Sequence, residues 1–226
     1  SEGTDDRARG IRLGIALWIV FAVVAVAVRG VRWDEAYEHA QILSGQVPYP
    51  ESHPLYRYVH NGFSLQTYLA AAVVAVVPNP LVLCGIRNVL FVLAGVLPVY
   101  LFTARLTGDA VWAHVAALLT LNGTFLEFDS SYPLSVWPHT FTNGYLGGGY
   151  LLLTLYMVIA GRLRVGLFLL GLAPAIHIGQ LPGIAGACGL FLIWQLMRGD
   201  RGSVIRAIPW GLAGLAVCAT FAVVVR

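Results

Sequence analysis

Apolar and polar positions in this chain fall into long blocks and are not interleaved singly. Seven apolar runs read as membrane-crossing helices, at approximately 11–28, 83–104, 110–126, 144–160, 163–178, 183–197 and 207–225. The criterion is a hydrocarbon core about 30 Å thick and about 1.5 Å of rise per helical residue. An eighth run, 63–77, stops at Pro78-Asn79-Pro80; as a helix it reaches roughly 22 Å, too short to cross comfortably. The pattern predicts an all-α polytopic membrane protein. No repeat of fixed period and no Pro/Ser-rich linker divides the sequence, so a single transmembrane domain over 1–226 is expected.

Composition agrees. The chain has 226 residues, 58% of them hydrophobic and 11% charged, with a mean hydropathy of +0.75. Soluble domains carry about 25% charge, so a disordered chain is excluded and an ordinary soluble domain is disfavoured. All fourteen basic residues are arginine, and the net charge of +3 is too small to argue for nucleic acid. Cys84, Cys188 and Cys218 lie inside apolar runs, with no disulfide framework or metal spacing among them. The sequence starts at Ser1 and stops at Arg226 directly after an apolar run, which suggests a piece of a longer protein, cut at its C-terminal side.

The arginines bear on topology. With seven spans and the N-terminus inside, Arg7, Arg9, Arg12, Arg105, Arg162, Arg164, Arg198, Arg201 and Arg206 all fall inside, as the positive-inside rule prefers. Letting 63–77 cross reverses that balance, unless the N-terminus is also moved outside. Charge therefore leaves two arrangements level, and the shortness of 63–77 leans toward seven spans. In that arrangement two polar loops face outward. The first, 29–62, holds Asp34, Glu35, Glu38, Glu51, His39, His53 and His60; the second, 122–143, holds Glu127, Asp129 and His139 and no basic residue. His177, near the end of its span in PAIHIGQLPG, is expected over the same side.

The first loop reads RWDEAYEHAQILSGQVPYP. Asp34 precedes Ala36, Ala40 and Leu43 at helical spacing, closed by Gly45 and Pro48, which predicts a short amphipathic helix with a glycine stop. Trp33 suits a membrane interface. One role for Asp34 is capping the helix amides while Glu35 and Glu38 face solvent; a chemical role is the alternative. Arg87 lies in an apolar run, where an arginine at mid-bilayer costs roughly 2.5–3.5 kcal/mol. It should therefore snorkel to the surface, hold an anionic group or pair with an acid. Gly147-Gly148-Gly149 is read as close helix packing, since the chain has no lysine to complete a phosphate loop.

Taken together, the Asp34-Glu35 pair, Tyr37, the short helix, Gly45 and Pro48-Tyr49-Pro50 resemble the first external loop of GT-C glycosyltransferases. These include protein O-mannosyltransferases and lipid A aminoarabinose transferases. The resemblance implies a GT-C-like seven-span helical module with juxtamembrane helices in the first external loop, which makes 63–77 one of them. It implies transfer of a sugar from a polyprenyl-phosphate-linked donor to an unknown acceptor (protein, lipid or glycan) at the external face of a bacterial plasma membrane. Asp34 is then the candidate base and Glu35 its neighbour, with Tyr37, Glu38 and His53 in the donor or acceptor region. Arg87 takes the donor phosphate or pairs with an acid of the site. Glu127 or Asp129 supplies a second acid, and His139 and His177 line the cavity. Where the family has Arg-Leu-Pro, this chain has Arg87-Asn88-Val89. Two carboxylates beside a phosphate suit Mg²⁺ or Mn²⁺, and GT-C enzymes occur with and without a metal. The competing classes are a polytopic transporter, which should carry its charges in mid-span, and a non-catalytic GT-C-like membrane scaffold.

Overall fold

The computed structural model describes residues 2–62, 64–125, 143–177, 179 and 181–224. Among these the chain is helical throughout, without a strand. The order is α1 (Glu2–Arg29), α2 (Ala36–Leu43), α3 (Pro54–Asn61), α4 (Leu65–Val76), α5 (Pro80–Thr107), α6 (Ala110–Phe125), α7 (Asn143–Ile159), α8 (Leu163–Ile176), α9 (Leu181–Met197) and α10 (Arg201–Val224).

Among the described residues, three helices are long and apolar enough to cross a membrane: Arg9–Arg29 within α1, Pro80–Thr107 and Arg201–Val224. They point to an integral membrane protein. Large apolar side chains such as Leu13, Leu17, Val28, Leu212 and Val223 stand exposed on α1 and α10, which suits a hydrocarbon surround. The other expected spans form as shorter apolar helices, from the 14 residues of α8 to the 17 of α7 and α9, or roughly 21–26 Å at about 1.5 Å per residue. Helix α4 has 12 residues and extends about 18 Å, the short element that 63–77 was expected to be. Its separation from α5 is built by Asn79, whose Oδ1 accepts the Leu81 N–H at 2.9 Å, with Pro80 in the first turn, where its missing N–H costs nothing.

Close packing relies on glycine. At Gly14 of α1 a Cβ would collide with the Tyr100 ring, and at Gly171 and Gly214 it would collide with the backbone of the facing helix, α10 or α8. Small residues let helices approach where lipid removes any hydrophobic driving force between them. Trp18, Ala22, Val92, Val96, Tyr100, Ala113 and Ala117 join α1, α5 and α6. A second cluster joins α2, α4 and α5 through Tyr37, Ala40, Ala70, Val74, Leu83 and Cys84, and it is this cluster that fixes the first loop against α5.

Candidate functional site

The site is assembled where the first loop meets the early turns of α5. Helix α2 forms as its spacing predicts and ends before Gly45, whose φ of +71° is the left-handed conformation that glycine adopts without a Cβ penalty. Glu35 occupies the position before α2 without capping it. Asp34 does so instead: its Oδ1 accepts the Ala36 N–H at 2.8 Å. Its Oδ2 accepts from Nε of Arg87 in a buried ion pair. One carboxylate thus serves both as the cap of α2 and as the partner of Arg87, one oxygen each.

The pair is withdrawn from water, with Asp34 1% and Arg87 5% exposed. Arg87 does not snorkel to the surface. Its guanidinium carbon lies 5.5 Å from the centroid of the Phe91 ring one turn along α5, a cation–π distance. Beside it, Asn88 is 1% exposed and clasps the loop backbone. Its Oδ1 accepts the Arg32 N–H at 2.9 Å, and its Nδ2 donates to the Arg32 carbonyl at 3.1 Å. Sequence reasoning passed over Asn88. The signal available was an amide inside an apolar run next to an arginine, where polar side chains need dedicated partners.

Arg87 also forms the charged part of an apolar cavity of about 160 Å³, walled by Leu69, Val73, Leu83, Leu90 and Leu146 among others. A second cavity of about 330 Å³ continues between α5 and α7, past Ala94, Pro98 and Tyr150. The two share Gln66, Leu90 and Leu146. Pro98 contributes no N–H to the Ala94 carbonyl, and α7 comes close at that point because position 149 is glycine. Gln66 ties α4 to the end of α8 by donating to the Ile176 carbonyl at 3.1 Å.

His177 ends α8 in extended backbone and packs on Gly147, where an added Cβ would come 2.5 Å from that of His177. Its Nδ1 is buried with no hydrogen-bond partner among the described residues. Phe91 lies against Tyr145 with centroids 5.8 Å apart, so α7 carries its Gly147–His177 contact to the end of the bundle that holds Arg87. Tyr37 is buried in the α2–α4–α5 cluster and stacks edge-on with Trp33 at 5.3 Å. Glu38 is exposed. His53 is exposed and caps α3, its Nδ1 accepting the Leu55 N–H at 3.2 Å. Glu127, Asp129 and His139 lie outside the described residues. Among the described residues no three His, Cys, Asp or Glu side chains gather, and both oxygens of Asp34 are already engaged.

A buried guanidinium paired with a carboxylate and lining an apolar cavity can receive an anionic group that carries a hydrocarbon chain. The phosphate would compete with Asp34 for the same N–H donors. No family model matches the chain, and neither a curated protein nor a solved structure matches it.

Proposed function

We propose that the chain is a GT-C-type glycosyltransferase, or the membrane module of one, taking a sugar from a polyprenyl-phosphate-linked donor. The observation that carries this reading is the buried Asp34–Arg87 pair set against an apolar cavity that begins at Arg87. A prenyl chain suits the cavity and a phosphate suits the guanidinium.

In this scheme the pair is the resting state. The donor phosphate enters beside Leu90 and Leu146 and takes over the Arg87 N–H groups, which frees one oxygen of Asp34. Asp34 then accepts the proton of the acceptor hydroxyl as the hydroxyl oxygen bonds to the anomeric carbon. The bond from that carbon to the phosphate oxygen breaks, its electron pair leaves on the phosphate, and Arg87 neutralises the departing charge. The Ala36 N–H keeps the carboxylate in place throughout. The acceptor is a protein, lipid or glycan at the external face of a bacterial plasma membrane. Transporter and scaffold roles are the alternatives that an assay separates.

The test is sugar transfer by the full chain in membranes supplied with labelled polyprenyl-phosphate hexoses and aminopentoses, compared with Asp34→Ala at matched expression. Loss of transfer by at least about a hundredfold is expected, the usual scale for removing a general base. Undiminished transfer in the variant removes Asp34 as the base, and absence of transfer by the unaltered chain across the panel removes the reading of this chain as a glycosyltransferase in its own right.

A further inference from the structure

At the opposite end of α7 and α8 from His177 and Tyr145, the α7–α8 turn meets the first turns of α10. A cavity of about 360 Å³ opens there, lined by Gly161, Arg162, Leu163, Arg164, Ser203 and Arg206, with Val165. We propose that this cavity binds the phosphodiester headgroup of an anionic glycerophospholipid, a role independent of glycosyl transfer.

Three arginines from stretches remote in sequence, Arg162 and Arg164 at the start of α8 and Arg206 in α10, line this one cavity. Among the described residues, none of the three arginines has a carboxylate partner; Arg206 donates only to the Ser203 hydroxyl, at 3.5 Å. The acid nearest in sequence, Asp200, precedes α10 and uses its backbone carbonyl for the Val204 N–H. Helix α8 starts at this cavity with no side chain capping its amides, so its first N–H groups and the positive end of its dipole add to the field. Gly161, at φ +79°, makes the tight turn that brings Arg162 and Arg164 round to α10. A topogenic signal needs only basic residues near span ends; it does not need three arginines lining one cavity with a serine in its wall. The same wall includes exposed Val165, which offers contact to a glyceride and nothing to a free anion. Basic pockets between membrane helices are built to take lipid phosphates in this way.

The experiment uses the full chain purified in detergent and titrated with phosphatidylglycerol, phosphatidylcholine and inorganic phosphate, with bound lipid read by native mass spectrometry. Phosphatidylglycerol should bind at least tenfold more tightly than phosphatidylcholine. Replacing Arg162, Arg164 and Arg206 together by Gln should abolish that preference, whereas Arg57→Gln, at the other end of the molecule, should leave it intact. Ser203→Phe, which fills the cavity and spares every arginine, should weaken phosphatidylglycerol binding by a similar factor; it decides the matter if the triple variant does not fold. Equal binding of the two lipids overturns the proposal, as does a preference that survives Ser203→Phe. Displacement of the lipid by millimolar inorganic phosphate overturns it as well, and would mark a site for a soluble anion.

Discussion

Asp34 and Arg87, 53 positions apart, close a buried ion pair that joins the start of α2 to α5. A buried pair contributes little net stability over an apolar pair of similar shape, but removing one partner strands the other charge at about 3–5 kcal/mol. Asp34→Ala and Arg87→Met should therefore each lower the unfolding temperature in detergent clearly. The double variant should be less destabilised than the sum of the singles. Additive losses would mean that the two side chains are not energetically coupled.

Asn88 holds both the N–H and the carbonyl of Arg32. Asn88→Leu keeps the volume and removes both hydrogen bonds, at an expected cost of about 1–3 kcal/mol for the polar groups left unsatisfied. Proteolysis and hydrogen exchange should accelerate selectively around 30–34. Unchanged protection there would show that the clasp does not fix the loop.

The approach of α8 to α10 depends on Gly171 and Gly214, where a Cβ meets the facing backbone. Gly214→Ala should cost about 1–3 kcal/mol by overpacking. Gly189→Ala on α9, where the added methyl meets open space, should be near neutral. The comparison is made by thermal unfolding of the two variants in the same detergent.

Much of the helix plan was legible in the sequence because it is local. Periods of apolar residues, the Gly45 stop and the Pro78-Asn79-Pro80 break fix where helices begin and end, and α1, α5 and α10 have the length that their runs require. Helix α8 proved shorter than its run because it ends at Ile176, where His177 turns to extended backbone. The site was legible only as ingredients. Asp34 and Arg87 each stood out as charges near apolar runs, but spacing along the chain does not tell which acid an arginine will meet 53 positions away. The pairing comes from the packing of Tyr37, Ala40, Leu83 and Cys84, which sets α2 against α5. The same packing makes Tyr37 a ring of the α2–α4–α5 cluster, and His53 caps α3. Arg162 and Arg164 read as one inside cluster and Arg206 as part of another; the fold sets them around one cavity.

The shared wall of the two apolar cavities supplies a kinetic test. Leu146 borders both, so Leu146→Trp should fill the proposed chain path. Under the proposed glycosyl transfer, KM for the lipid-linked donor should rise about tenfold, the scale of one misfit in an apolar pocket, with a smaller change in kcat. An equal fall in kcat with KM constant would place the prenyl chain elsewhere.

In the proposed mechanism a lipid phosphate takes the place of Asp34 on Arg87. Binding of a polyprenyl phosphate and of the matching polyprenyl alcohol to the full chain in nanodiscs measures this directly. The phosphate should bind at least tenfold more tightly than the alcohol, and Arg87→Gln should erase the difference. Asp34→Asn, which keeps the shape and the acceptor for the Ala36 N–H but removes the competing charge, should bind the phosphate more tightly than the unaltered chain while failing to transfer sugar. Equal affinity for alcohol and phosphate, or weaker phosphate binding in Asp34→Asn, would contradict the exchange.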